Sequence, residues 1–244
     1  MASSSDQGAR PGGQPLLSII VPVYNEVRTV GMVLERLQQL DLPIASEIIV
    51  VDDGSTDGTG EVLARLKGSS SCVRIFRCER NQGKGAAVRL GIGHANGSIV
   101  AIQDADLELD PQQLAGLVVP ILEGETDVVY GSRFMNGRPE MPRASYYANR
   151  TLTGITNALY RSRLTDMETC YKLMRTEVAR SLGLTANRFD IEPEVTAKLL
   201  RNGHRVVERP VRFMPRSRAQ GKKIGWRDAL QAVAVLCRCR VARN

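Results

Sequence analysis

The chain has 244 residues, with 33 Lys and Arg against 26 Asp and Glu for a formal net charge of +7; 43% of it is hydrophobic and 24% charged. Such a composition belongs to an ordinary folded protein and excludes a wholly disordered chain, a collagen-like repeat and a coiled coil. At roughly 100–200 residues per domain, the length allows one large domain or two small ones, with core enough to dispense with disulfides or a metal staple.

Residues 1–15, MASSSDQGARPGGQP, are small, polar and rich in Gly and Pro, without the apolar stretch of a signal peptide. They read as a disordered lead-in to a single domain over 16–244. LLSIIVPVYN is a short buried strand with a turn behind it, and Val30, Val33, Leu34, Leu37 and Leu40 follow at helical spacing. EIIVVDD is an apolar, β-branched run ending in acids, and Ser55, Thr56 and Asp57 then offer helix-start chemistry before Val62, Leu63 and Leu66. VRIFRC is a third strand, GKGAAVRLGIGHA a glycine-rich turn opening a helix, and SIVAIQDAD a fourth strand. Pro111 suits the first turn of the next helix, and DVVYGSR is a fifth strand. Strands alternating with helices imply βαβ units, hence an α/β fold with a mostly parallel sheet flanked by helices.

Past Arg133 the pattern changes. FMNGRPEMPRAS is a loop and YYANRTLTGITNALYRSRL a helix. DMETCYKLMR is a short strand or turn, and FDIEPEVTAKLLRNG holds a helix stopped at Asn202-Gly203. RVVERPVRFMPR is a strand whose Pro210 assigns it to an edge or a bulge, and WRDALQAVAVLCRCRV is a last amphipathic helix. The helix over Tyr146–Leu164 could lie at a membrane interface or pack on its own core, and so could the last helix, where Trp226, Leu230, Val233, Cys237 and Val241 fall near one face. No apolar run approaches the roughly 20 residues that cross a bilayer. From Arg201 onward twelve basic residues face only Glu208 and Asp228, so this block invites an anionic partner.

Several chemistries lack their machinery. There is no GxxxxGK[ST] phosphate loop, PVYNE stands where a dinucleotide GxGxxG would be, and no GxSxG occurs. The five cysteines are odd in number and form no CxxC, which points to thiols in a reducing compartment; His94 and His204 lack metal-ligand spacing. No nucleic-acid recognition motif accompanies the basic block.

The acids at strand exits carry the positive signal. Ligands of open α/β sheets bind beyond the carboxyl ends of the strands, and three strands here end in Asn25-Glu26, Asp52-Asp53 and Asp104-Ala105-Asp106. If the chain stays extended, Asp104, Asp106 and Glu108 face one side, where their oxygens suit a hard divalent cation that also holds a diphosphate; the alternative is a solvated acidic turn. DDGSTD could equally be a helix cap.

Together, SIIVPVYNE, EIIVVDDGSTDGT, NQGKGAAVRLG and IVAIQDADLELDP closely resemble the family 2 glycosyltransferases of GT-A fold, over residues 16–135. YGSRF, DMETCYKLMR, FDIEPEVTAKLLRNG and RPVRFMPRSRAQGKKIGWRDAL resemble the branch that includes dolichyl-phosphate mannosyltransferases and their bacterial polyprenyl-phosphate relatives. The resemblance implies a nucleotide-sugar half over 16–135 and an acceptor half over 136–244. Pro22, Tyr24, Glu26, Val51 and Asp53 would line the nucleotide pocket. Asp104, Ala105 and Asp106 would hold the sugar nucleotide, with Asp106 and Glu108 on magnesium or manganese. Arg133 would reach the phosphates or the acceptor, and Arg216 and Lys222 would close over the diphosphate; Lys84 is a further candidate. The implied reaction is inverting transfer of mannose or glucose from a GDP- or UDP-hexose to a polyprenyl phosphate at the cytoplasmic membrane face, with the chain bound peripherally or held by a membrane subunit. The competing reading is a soluble enzyme of the same fold acting on a hydroxyl, with Asp190, Glu192 or Glu194 as base.

Overall fold

The computed structural model describes residues 15–66, 71–215 and 226–242. Its centre is β1 (Leu16–Val23), buried from Leu17 onward, which pairs in parallel with β2 (Ala45–Asp52) on one side and β4 (Ile99–Ile102) on the other. Both faces of these strands are covered, which is why their sequences are continuously apolar instead of alternating. β3 (Val73–Arg77) extends the sheet beyond β2.

The crossovers are α1 (Val30–Gln38), α2 (Thr59–Leu66) and α3 (Lys84–His94). Helix α1 buries Val30, Val33, Leu34 and Leu37 of the stripe expected from its spacing, while Leu40 falls beyond the helix end and is half-buried. The start of α2 is tied by Asp57, whose Oδ1 accepts from the Thr59 N–H at 3.1 Å. A single 3-10 turn over Pro111–Gln113, with Pro in its first turn as expected and Asp110 as its cap, leads into α4 (Leu114–Leu122).

The strand order is β3-β2-β1-β4-β6-β5-β7, with β5 at Val128–Ser132, β6 at Lys172–Arg175 and β7 at Val206–Pro210. Every pairing is parallel except those of β6, which runs antiparallel to both β4 and β5. Pro210 therefore ends an edge strand, where its missing N–H costs no ladder bond. Because β6 is reversed, the segment that enters it, 166–171, arrives at the same end of the sheet where the parallel strands leave. Hydrogen bonds confirm this: the Gly131 N–H donates to the Tyr171 carbonyl at 2.8 Å, and the Tyr171 hydroxyl to Gln103 Oε1 at 2.6 Å.

The second half adds α5 (Arg143–Tyr160), a short α6 (Thr176–Ser181) that sequence patterning did not suggest, α7 (Ile191–Arg201) and α8 (Trp226–Val241). Leu152, Met167, Ala197, Ala232, Val235, Leu236 and Cys239 form a second core between α5, α7 and α8, joined by Ile155, Leu159 and Tyr160. The Tyr160 hydroxyl donates to the Leu236 carbonyl at 2.7 Å. The aliphatic face of α5 is thus internal packing. Helix α8 buries Ala232, Val235, Leu236 and Cys239; of the apolar face read from its sequence, Val233 packs against this core while Leu230, Cys237 and Val241 stay exposed. Among the described residues no helix is long and apolar enough to cross a membrane.

Candidate active site

A cavity of about 890 Å³ opens at the carboxyl ends of β1, β2 and β4. Pro22, Tyr24, Glu26, Asp53, Asp104, Ala105, Asp106, Glu108, Arg133 and Lys84 all border it, as expected for residues at or near strand exits. Val51 does not. Its side chain is fully buried in the core, further back along β2 than Asp53 and beside its register partner Pro22 of β1. Arg216 and Lys222 lie outside the described residues.

Asp53 is largely occupied by its own loop. Its Oδ1 accepts from the Gln82 N–H at 2.9 Å, and its Oδ2 from the Gly83 N–H at 2.7 Å and from Asn81 Nδ2 at 2.8 Å. Burial holds its carboxyl above the usual range, against those donors. Asp53 therefore fastens the glycine-rich turn that opens α3. That turn needs glycine: Gly83 has φ +104°, and a Cβ there would collide with the Asn187 carbonyl oxygen. The close approach brings the 187–189 loop to the cavity, where Arg188 and Phe189 join its lining.

The acidic segment after β4 is bent, not extended as a shared face for alternate residues would require. Asp104 turns to Lys84, with Nζ 2.7 Å from Oδ1, while Asp106 Oδ1 accepts from the Glu108 N–H at 3.0 Å. All three carboxylates nonetheless border the one cavity. Lys84 also pairs with Glu192 at 2.9 Å, and Glu192 is shared with Lys172, which is fully buried. Burial opposes the Lys84 charge, but Asp104 chiefly, with Glu192, holds its ammonium more firmly than usual.

Arg133, one residue beyond β5, is fixed by a two-pronged pair with the buried Asp166. Its Nε reaches Oδ2 and its Nη2 reaches Oδ1, each at 2.7 Å, and its backbone N–H donates to Oδ2 at 3.0 Å. Phe134 and Phe213 lie against its guanidinium, 5.4 and 5.3 Å from ring centroid to Cζ.

Glu168 is the cavity carboxylate that sequence reading missed. It stands inside DMETCYK, a segment without catalytic spacing, and only the reversal of β6 delivers it to the site. Its Oε1 is buried and has no hydrogen-bond partner among the described residues. Burial pushes its carboxyl up to about 7; the charge of Glu192 adds to the rise and that of Lys172 opposes it. Because the folded state holds this proton more tightly than the unfolded chain, the stabilisation is complete below the ordinary value of 4.5 and is lost as pH rises through 7. Glu168→Gln has nothing to ionise. Its melting temperature is therefore expected to gain roughly 3 °C or more on the parent between pH 5 and pH 8, then level off. A difference that stays flat with pH would show that Glu168 titrates normally.

The donor set fits a hard divalent cation. Asp106 and Glu108 bring two carboxylates to the cavity wall, and Lys84 already balances the neighbouring Asp104. Among the described residues no three His, Cys, Asp or Glu side chains form a ready cage. That suits an ion such as magnesium, which takes one or two carboxylates and completes its shell with water and substrate phosphates.

The sheet of this order gathers carboxylates and a buried arginine around one cleft at its strand ends, the place where open α/β sheets bind their ligands. The chain belongs to glycosyl transferase family 2, whose model matches residues 18–183. It is similar to the glycosyltransferase AglD of Haloferax volcanii, 30% identical over 82% of this chain and 33% of that protein. It is also similar to the undecaprenyl-phosphate mannosyltransferase of Micrococcus luteus, 29% identical over 84% of this chain and 86% of the relative. The chain thus spans only about a third of the length of AglD. Among solved structures, glucosyl-3-phosphoglycerate synthase from Mycobacterium tuberculosis, in complex with Mn2+, uridine diphosphate and phosphoglyceric acid, superposes with a TM-score of 0.72 at 19% identity. That match covers 97% of this chain and 86% of the synthase, and establishes the GT-A architecture.

Proposed function

We propose that this chain transfers a hexosyl group, mannose or glucose, from a GDP- or UDP-sugar to a polyprenyl or dolichyl phosphate, with inversion and with magnesium or manganese. The observation that carries this reading is the continuity of the cavity. It runs from Asp104, Asp106 and Glu108 to an apolar wall of Met141, Ala144, Ala148 and Leu152 on the α5 side and Ala229 and Ala232 on α8. A charged end beside an apolar one matches an acceptor that is itself a phosphate on a hydrocarbon. The name of the Micrococcus relative supports the acceptor class, and the complex of the Mycobacterium synthase supports a nucleotide donor and a divalent cation.

In this reading Pro22, Tyr24, Glu26 and Asp53 flank the nucleotide, and Asp106 and Glu108 would hold the cation. When bound, that cation supplies Lewis-acid neutralisation of the diphosphate leaving group. Arg133, unable to lose its charge, orients phosphate oxygens, and Arg216 and Lys222 complete the clamp. A phosphate oxygen of the acceptor forms the new bond to the anomeric carbon while the carbon–oxygen bond to the diphosphate breaks, so no hydroxyl has to be deprotonated. The hydroxyl-acceptor alternative fares worse on its candidate bases. Glu194 is spent on the Thr185 and Ala186 N–H groups and Lys198. Asp190 accepts from the Arg188 N–H and Gln231. Glu192 is shared by two lysines. The reaction would take place at the cytoplasmic membrane face, with the C-terminal basic block toward anionic lipid.

The deciding experiment incubates purified chain with magnesium or manganese, labelled GDP-mannose and UDP-glucose, and a short-chain polyprenyl phosphate. A lipid-extractable, acid-labile labelled product is expected. Label transferred only to water-soluble acceptors overturns the reading.

A further inference from the structure

We propose that Glu168 contacts the acceptor, donating a hydrogen bond from its protonated carboxyl to the acceptor's phosphomonoester. The inference rests on the proposed function, whose phosphate acceptor it makes specific.

Glu168 borders the cavity, yet its Oε1 is shut from solvent and has no hydrogen-bond partner among the described residues. Buried polar atoms are almost always paired, so an orphan at the wall of a cleft calls for a ligand that pairs it. The surrounding charges are otherwise engaged. From β6, Lys172 gives its three N–H donors to the carbonyls of Met167 and Thr169 and to Glu192. From α7, Glu192 is divided between Lys172 and Lys84 of α3. From the exit of β5, Arg133 is committed to Asp166, and from β7, Glu208 accepts the Thr165 and Asp166 N–H groups. Each of these cations is thus held by another acceptor, and a Glu168 carboxylate would have to share it.

The chemistry of the ligand follows from that environment. An ionised Glu168 would repel a phosphate held near Arg133. A protonated one removes the repulsion and supplies a donor. The bound dianion in turn favours the protonated acid, so binding takes up a proton, and affinity falls as pH climbs past the point where the empty site ionises, about 7. A lipid phosphate and a water-soluble phosphomonoester share this chemistry.

The test compares the parent chain with Glu168→Gln, whose amide can donate at every pH. The acceptor KM is measured at pH 6.5 and 8.5, and binding of short-chain polyprenyl phosphate and of phosphoglyceric acid is followed calorimetrically in two buffers of different ionisation heat. The ratio of parent to Gln KM is expected to rise on the order of tenfold between the two pH values, with proton uptake on binding in the parent alone. Three results overturn the proposal: a flat ratio, a Gln variant whose kcat falls about a hundredfold or more at both pH values with KM unchanged, as a general base would require, or a parent that binds neither phosphomonoester. Proton-coupled binding of phosphoglyceric acid without any binding of polyprenyl phosphate keeps the role of Glu168 and overturns the lipid acceptor instead.

Discussion

Asp106→Asn is expected to fold like the parent and to lose about 10²- to 10³-fold in kcat, with Asp106→Ala losing at least as much. The two substitutions separate charge from scaffold. Asp106 is 8% exposed, and its Oδ1 accepts the Glu108 N–H, so an Asn oxygen can keep that bond and the local bend. What the amide cannot keep is the negative charge, which the proposed cation needs and which a leaving diphosphate, itself strongly anionic, would otherwise oppose. A loss of 10³-fold corresponds to about 4 kcal/mol at the transition state, far beyond the roughly 1 kcal/mol of one backbone hydrogen bond. The measurement is turnover against magnesium or manganese concentration, with thermal melting alongside. Full turnover by either variant, or activity untouched by a chelator, removes Asp106 and the cation from the mechanism.

The second large effect falls on stability. Arg133→Ala leaves Asp166, fully buried, without its guanidinium partner. Breaking a buried pair from one side costs about 3–5 kcal/mol, which for a chain of this size lowers the melting temperature by roughly 10 °C. Arg133→Lys is expected to recover little, because one ammonium cannot reproduce the two parallel bonds to Asp166 or the contact with Phe134 and Phe213. Removing both charges, Arg133→Met with Asp166→Leu, should restore part of the lost stability while leaving transfer impaired, since Arg133 borders the cavity and the replacement does not bind phosphate. Equal melting of the single and double variants would contradict the coupling.

Much of this molecule can be read along the chain. β1, β2 and β4 announce themselves as apolar runs ending in polar or acidic residues, and of the side chains at those exits Glu26, Asp53, Asp104 and Asp106 do meet at one cavity, while Asn25 and Asp52 are taken up by the loop after β2. α1 carries most of its buried stripe openly, and Pro210 marks β7 as an edge or a bulge, of which the strand order selects the edge. Even so, legibility of a residue is not legibility of its task. Asp53 shows as a strand-end acid, but only the fold reveals that three donors of the Asn81–Gly83 turn consume its oxygens. Val51 sits in the right motif but is sealed into the core behind the cavity.

What the sequence alone determined is the family, the α/β alternation and the acids at the strand tips, because these rest on local runs, periodicity and motif spacing. Tertiary structure decided the reversal of β6, the burial of Lys172 against Glu192, the packing of α5 on α8 and the arrival of Glu168 in the cavity. Each of those depends on partners far apart in the chain, and periodicity reports only whether a side chain is buried, never against which distant residue.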